Sequence, residues 1–326
     1  SAAYKLGESM ALRFDLTVPL ARVIAQYPEI KKPFKRYQIG QVWRGEKPQA
    51  GRFREFTQFD ADIVGSRSML ADAEIINIMY EALKSLGIEK FVIRFNDRKI
   101  LNGLAQYAGF EESKAKQVLR ILDKVEKIGF TNVLAELQKP QEGSEDESPR
   151  LDQNSINKIK RLNELNKLGS EELLGKLSKE MVGVAIAEEG IKELLQIIQA
   201  LKNLDIPPEN WRVDLSIARG LDYYTGPVFE AYLSDLPEYG AVFGGGRYDG
   251  LVSRFDPKSK TPATGASFGV SRLFAALQKL GKIGAPKTLT KVLVTVIDQS
   301  LVSRCIQVAS RLRQNGINTE LYLGDE

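Results

Sequence analysis

Hydrophobic residues change their period several times along this chain, and each change marks an element. From Phe34 to Val64 apolar and polar positions alternate, which predicts two strands joined by the turn-rich GEKPQAG at Gly45–Gly51. Between Met69 and Leu86 the period lengthens. Ile75, Ile76, Met79, Leu83 and Leu86 fall on one helical face, and Gly87 can end the helix. FVIRFND, at Phe91–Asp97, reads as a further strand.

From Asp97 to about Ala187 the chain is rich in Lys, Glu, Leu and Gln, with helical spacing in Ala115–Ile128 and Ile156–Leu168. Its middle, QEGSEDESPR at Gln141–Arg150, is an acidic solvated loop. This predicts a helical insertion, a cap or spacer without nameable chemistry of its own. Strand character returns at WRVDLS (Trp211–Ser216) after a helix near Glu189–Lys202. It runs on through PVFEAYL, GAVFGGGRYDG and GASFGV to a helix from about Ser271. KVLVTVIDQ, a helix near Val302–Gln314 and NTELYL predict a strand-helix-strand unit, with Pro286 in the linker before it. The expected organisation is residues 1–97 and 188–285 forming one α+β domain, 98–187 inserted in it, and 286–326 as linker and the start of a last domain.

Composition narrows the chemistry. A hydrophobic content of 43% with 27% charged residues is that of a globular chain, not a disordered one. The net charge of +4, from 46 basic and 42 acidic residues, permits a nucleic-acid partner without demanding one. The single cysteine, Cys305, excludes an internal disulfide and a multi-cysteine metal site, and fits a reducing, cytoplasmic setting. No apolar run approaches the roughly 20 residues of a membrane-spanning helix. The opening SAAYKLGESMALRF lacks an initiating methionine and reads as a segment already inside a domain. There is no histidine anywhere, which removes Ser-His-Asp triads, histidine general bases and histidine-ligated metals. Catalysis would have to run on arginines, carboxylates, tyrosines and a bound cation.

In RFREFTQFDADIV the strand period puts Phe56, Gln58, Asp60 and Asp62 on one face, with Phe59, Ala61 and Ile63 on the other. The polar face is either solvated or a pocket floor; Phe56 beside carboxylates favours the floor. Arg44, Arg52, Arg219, Arg247 and Arg272 each sit at a strand end or glycine turn. Singly they read as surface arginines. Gathered by a sheet they would suit a polyphosphate, since guanidinium groups bind phosphate through paired, charge-assisted hydrogen bonds. The glycines of FGGGRYDG, at Phe243–Gly250, mark a bulge or a close approach of backbone to a ligand. Neither a dinucleotide fingerprint nor a phosphate loop occurs, so a nucleotide would need another cradle.

These segments together resemble the histidyl-tRNA synthetase family of class II aminoacyl-tRNA synthetases. VWRGEKPQAGRFREFTQFDADIVG is similar to class motif 2 and GASFGVSRLFAAL to motif 3. SIARGLDYYTGPVFE resembles the family's histidine-recognition signature, ALRFDLTVPLAR its amino-acid-binding loop, and GGGRYDG a further family segment. The resemblance covers about Ala11–Leu280. Motif 1 is not visible, and the anticodon-binding domain is only begun, at about Lys291–Tyr322.

The resemblance implies a mainly antiparallel sheet flanked by helices, a homodimer, and ATP with Mg²⁺, L-histidine and tRNA(His) as ligands. Arg44 would hold the α-phosphate and the substrate carboxylate region, Glu46 and Arg52 the adenine and outer phosphates, and Phe56 would stack under the adenine. Arg272 would clamp the γ-phosphate. Arg219 would lie beside the α-phosphate, supplementing or replacing a metal ion, and also border the histidine. Histidine would be read by Asp15, Thr17, Gln58, Asp62, Tyr223, Tyr224 and Tyr248, a carboxylate accepting from one ring nitrogen while a phenol engages the other. The rival implied by the same fold is a non-catalytic, synthetase-like regulatory subunit that binds histidine. Such relatives tend to lose motif arginines that this chain keeps. A third reading, a sheet-based nucleic-acid-binding module, accounts for the basic excess but not for the glycine-flanked arginines.

Overall fold

A computed structural model describes residues 11–47, 51–139, 148–217, 223–284 and 288–324. Arg219, Pro286 and most of the acidic loop after Gln141 lie outside the described residues. The chain divides into two units, one ending at Ala276 and the other starting at Leu277.

The first unit opens with α1 (Thr17–Gln26), followed by the hairpin β1 (Phe34–Trp43) and β2 (Glu55–Val64), α2 (Met69–Ser85) and β3 (Phe91–Asp97). A helical stretch follows: α3 (Arg98–Asn102), α4 (Leu104–Ala108), α5 (Ala115–Leu122), α6 (Val125–Ile128), α7 (Phe130–Gln138), α8 (Gln153–Leu165), α9 (Ser170–Glu180) and α10 (Ala185–Asn203). Then come β4 (Trp211–Val213), β5 (Pro227–Leu233), β6 (Ala241–Arg247), β7 (Ala263–Gly269) and α11 (Val270–Lys279). The second unit carries β8 (Val292–Val294), α12 (Val302–Gln314) and β9 (Thr319–Leu321), with β8 and β9 parallel, the expected strand-helix-strand arrangement.

One seven-stranded sheet orders the first unit as β1-β2-β7-β6-β5-β3-β4. Its neighbours are antiparallel except β3 and β4. A parallel pair needs a crossover connection, and here the α3–α10 stretch is that connection. The fold is therefore α+β, as expected. The helical stripe of α2 buries Ile75, Ile76, Met79 and Leu83 completely, each contributing about 1.5–3 kcal/mol of transfer free energy.

The inserted helices are fastened to the sheet by polar contacts at both strands they connect. Asp97 ends β3 and caps α3 by accepting from Lys99 N at 2.8 Å, while Lys99 Nζ reaches Glu189 and Glu193 of α10, each at 2.7 Å. Gly190 lets α10 come this close, since an added Cβ would sit 3.2 Å from Asp97 Cγ. Burial, reinforced by the neighbouring Glu193, raises the Asp97 carboxyl well above its usual range. At the other end Asn166, just after α8, donates to Asp214 Oδ1 at 2.8 Å and accepts from Leu215 N at 2.7 Å. Asn96 Nδ2 donates to the Ile217 carbonyl at 3.2 Å. These contacts hold the segment that leads toward Arg219.

Two sequence expectations shift. ALRFDLTVPLAR is not all loop: Asp15 Oδ1 accepts from Val18 N at 2.9 Å and α1 starts at Thr17, with Pro19 tolerated in the first turn. WRVDLS is strand only to Val213, because Asp214 turns the chain through bonds to Ser216 N and Oγ.

Arg247 corrects a third. It was grouped with the phosphate-binding arginines, yet its side chain is buried in a salt bridge with Asp72 of α2 and donates to the carbonyls of Ser66 (2.9 Å) and Ser68 (3.2 Å). It fastens β6 to the β2–α2 turn. Replacing Arg247 with Ala leaves Asp72 buried without its cation and is expected to lower unfolding stability by about 3–5 kcal/mol. Chemical denaturation of the single and Asp72→Ala variants and their double mutant checks this. The double should lose less than the sum of the singles; simple additivity contradicts the pairing.

Candidate active site

The site starts from a complementarity of sizes between two neighbouring strands. In the β2–β7 register Gln58 faces Gly269, Asp60 faces Ser267 and Asp62 faces Gly265. Large polar residues on one strand thus meet minimal ones on the other. An added Cβ at Gly265 would overlap Asp62 Oδ1. Next to β7, Gly244 and Gly246 of β6 face Ser267 and Gly265, so the sheet here is a floor of bare backbone.

Over this floor lies a cavity of about 250 Å³, bordered by Asp15, Arg44, Glu46, Arg52, Phe56, Gln58, Tyr223, Tyr224, Glu230, Ser267 and Arg272. Its two ends differ in charge. At one end Arg44 leaves the end of β1, pairs Arg44 N with Arg54 O at 2.8 Å, and donates Nε to Phe14 O at 3.2 Å. Its guanidinium lies between two rings, 4.5 Å from the centroid of Phe14 and 5.1 Å from that of Phe56. Arg272, in the first turn of α11, donates Nε to Gly51 O at 2.8 Å and Nη1 to Ala241 O. Arg52 stands 3.6 Å from Glu46. Burial, and then the neighbouring charges of Arg52 and Arg44, lower the pKa of Arg272 against the opposing pull of Glu46 and Glu230, so the cations outweigh the anions at this end.

The other end is acidic and phenolic. Tyr223 OH is 3.5 Å from Asp15 Oδ2, and the rings of Tyr223 and Tyr224 meet edge to face at 5.0 Å. Burial and the nearby carboxylates raise both hydroxyls, which keeps them protonated donors at neutral pH. Gln58 also lines the cavity, and its Oε1 is buried without a hydrogen-bond partner among the described residues. A buried acceptor left open toward a cavity is the mark expected of a ligand contact.

Most of the residues picked from sequence converge here. Arg44, Glu46, Arg52, Phe56, Gln58, Asp15, Tyr223, Tyr224 and Arg272 all border the cavity. Thr17, Asp62 and Tyr248 do not; they form a layer behind it. Tyr248 OH donates to Asp62 Oδ1 at 2.5 Å, Arg36 Nη2 is 3.0 Å from Asp62 Oδ2, and Thr17 Oγ1 is 3.4 Å from Asp60 Oδ2. Arg219 lies outside the described residues.

Sequence reasoning passed over Arg36, Phe14 and Ser267. The signal for Arg36 was present in the hairpin, whose register sets it opposite Asp62. Of the glycine run, Gly244 and Gly245 both border the cavity, but only at Gly244 would an added Cβ meet nothing within 4 Å. Gly245 and Gly246 are small because strands and the Tyr224 ring pass close to them.

With this geometry in view, the comparisons with known proteins agree. Residues 4–273 match the family model described as histidyl-tRNA synthetase. The chain belongs to that family. It is 44% identical to the histidine–tRNA ligase of Clostridium tetani, over 98% of this chain and 71% of that protein. To the histidine–tRNA ligase of Wolinella succinogenes it is also 44% identical, over 97% of this chain and 70% of the relative. A crystal structure of histidyl-tRNA synthetase from Nostoc sp. PCC 7120 superimposes with a TM-score of 0.74 at 36% identity, covering 97% of this chain and 71% of that one.

The glycines separate folding from ligand binding. Gly245→Ala would drive a Cβ into the Gly265 carbonyl and Ala266 and is expected to lower the melting temperature sharply. Gly244→Val should melt within a few degrees of the parent protein, because its side chain enters open space, and should weaken ATP binding at least about tenfold by filling the cavity. Thermal melts and nucleotide titration of the two variants check this. Equal melting temperatures, or unchanged ATP affinity in Gly244→Val, would contradict it.

Proposed function

We propose that this synthetase-family chain is a histidine–tRNA ligase that joins histidine to ATP as histidyl-adenylate and passes the histidyl group to the terminal ribose of tRNA(His). The observation that carries the reading is the bipolar cavity: a guanidinium cluster at one end, carboxylates and phenols with an unpaired Gln58 oxygen at the other. ATP is an elongated polyanion with an aromatic base, and it fits the end formed by Arg44, Arg52, Arg272 and Phe56. Histidine fits the end formed by Asp15, Gln58, Tyr223 and Tyr224.

In the first step the substrate carboxylate attacks the α-phosphate and pyrophosphate leaves. That carboxylate ionises at about pH 3.5, so at neutral pH it needs no general base. What it needs is alignment and neutralisation of two anions, which fixed guanidinium groups supply. Arg44 serves the α-phosphate and carboxylate, Arg52 and Glu46 the adenine and outer phosphates, Arg272 the γ-phosphate, and Arg219 the α-phosphate. In the second step a ribose hydroxyl of the tRNA attacks the carbonyl and AMP leaves. Among the described residues no group of three acidic or cysteine side chains could hold a metal ion. In this reading Mg²⁺ would enter with the ATP phosphates and neutralise part of their charge.

At the histidine end Tyr224 and Tyr223 donate and Asp15 accepts, while Asp62, Tyr248 and Thr17 orient that first layer from behind. A site that hydrogen-bonds its substrate discriminates against analogues lacking those groups by about 10⁴–10⁵. A homodimer is supported by the outer face of edge strand β1, where Tyr37 and Ile39 are 73% and 63% exposed. A cytoplasmic setting agrees with the lone cysteine, and among the described residues no helix is long and apolar enough to cross a membrane. Residues 98–187 as an insertion and the segment from 286 as the start of an anticodon-binding domain complete the reading.

Amino-acid-dependent ATP–pyrophosphate exchange tests it. Exchange is expected with histidine alone among the common amino acids. Histidine binding without exchange would move the assignment to the regulatory relatives, against which the retained Arg44 and Arg272 argue. In the active protein Arg44→Ala should slow adenylate formation by about 10²–10³. Tyr224→Phe should instead raise the KM for histidine and leave that for ATP unchanged. Stopped-flow and steady-state exchange separate the two effects, and an Arg44→Ala rate within about twofold of the parent would remove that residue from the reaction.

A further inference from the structure

The amino-acid end and the layer behind it carry more negative charge than the described residues balance. Asp15 borders the cavity and Asp60 and Asp62 lie behind it, all three buried, and among the described residues the only cation within ion-pairing distance of them is Arg36, at Asp62. Among the described residues the hydrogen-bond partners of Asp60 are hydroxyls: Ser267 Oγ donates to Oδ1 at 2.6 Å, and Thr17 Oγ1 is 3.4 Å from Oδ2. The groups facing it from each packed element are Arg36 and Gln38 of β1, Asp62 of its own strand, Ser267 of β7, Asp15 and Thr17 at the start of α1, and the hydroxyls of Tyr223 and Tyr224. After burial itself, the charge of Asp60 is the strongest influence on the Tyr224 hydroxyl.

We propose that Asp60 is a positioning residue that sets the proton count of the histidine pocket, so that substrate ring and carboxyl hold one proton between them. This rests on the site being a histidine site. The physical reason is charge balance. A neutral ring in front of Ser267, with Asp60 ionised behind it, leaves a third buried carboxylate without a cation among the described residues. An imidazolium beside protonated Asp60 forfeits the attraction. The two states with one proton in total, neutral ring with protonated Asp60 or imidazolium with the carboxylate, avoid both costs. Burial and the Asp62 charge, against the Ser267 hydrogen bond, push Asp60 up to about 7, close to the value of about 6.5 for a free imidazole. A ring of equal size with no basic nitrogen can reach only one of these states, so Asp60 adds discrimination beyond the hydrogen bonds of Tyr223 and Tyr224.

Calorimetric titration of the whole chain with histidine, from pH 6.5 to 8.5, reads the proton directly. Affinity should be greatest near pH 7 and fall about tenfold between pH 7.5 and 8.5, with close to one proton taken up at pH 8 when buffers of different ionisation enthalpy are compared. Asp60→Asn keeps the shape and donor capacity of the protonated acid but cannot ionise. Its affinity should stay within about twofold over the same interval, with no proton uptake, and Asp60→Glu should restore the alkaline loss. The substrate α-amino group titrates alike against all three proteins. Should Asp60→Asn fail to fold, proton uptake by the parent protein decides alone. A flat parent profile, or the same alkaline loss in Asp60→Asn, overturns the proposal and leaves the histidine site standing. Absence of histidine binding at every pH, with no histidine-dependent exchange, overturns both.

Discussion

Asp62 occupies the space that a side chain on Gly265 would need, and the site is organised around that substitution of carboxylate for methyl. From this position one carboxyl reaches Arg36 on β1 and Tyr248 beyond β6. The Tyr248 ring packs in turn with Tyr223, Leu20, Ile24 and Val64. A single mid-strand acid therefore links the hairpin, the central strands, α1 and the tyrosines that border the cavity. The arrangement is demanding: burial raises the Asp62 pKa against the pull of Arg36 and Tyr248, so the charge is tolerated only while those partners stay in place.

The cavity joins two opposite electrostatic problems. Its arginine end gathers like charges whose mutual repulsion is felt at Arg272; its other end gathers carboxylates around Arg36, the one guanidinium paired with them among the described residues. Each end is less stable alone than with a ligand of opposite sign. In the proposed reading a polyanion fits one end and a basic ring the other, which suits a pocket that brings two substrates into line. The chain has no histidine of its own, and nothing in this chemistry requires one.

Much of this could be read before the fold was known, because the relevant signals were local. Period-two alternation placed Phe56, Gln58, Asp60 and Asp62 on one face, and cross-strand register then did the rest. What could not be read is whether a polar residue lines a cavity or stands behind it. Thr17, Asp62 and Tyr248 share types and neighbourhood with Asp15, Gln58 and Tyr224, and only the depth of packing separates them. Arg247 shows the same limit more sharply. A glycine turn and a strand end recommend it as an anion binder, but its partner Asp72 is 175 residues away in sequence, and nothing local announces a buried pair of that separation. Within the glycine run, identical residues answer to different constraints: open space at Gly244, neighbouring backbone at Gly245, the Tyr224 ring and the Pro227 carbonyl at Gly246.

The two ends are also held by different backbone. Part of the acidic end, Gln58 with Asp60 and Asp62 behind it, is mid-strand, where β2 is paired on both sides and side-chain directions are set by the sheet, whereas Asp15, Tyr223 and Tyr224 lie outside the strands. The arginine end uses strand termini and loops, whose backbone is intrinsically freer. That freedom is curtailed by hydrogen bonds from the guanidinium groups themselves: Arg44 to Phe14 O, Arg272 to Gly51 O and Ala241 O, with Arg44 further held between two rings. Each guanidinium has five N–H donors. Committing one or two to carbonyls leaves the remainder for phosphate while fixing their direction. Ordering a long side chain on binding costs about 0.5–1.5 kcal/mol, and these arginines have met much of that cost during folding. In the proposed reading, the sheet thus helps to select the amino acid and the anchored arginines hold the nucleotide against it.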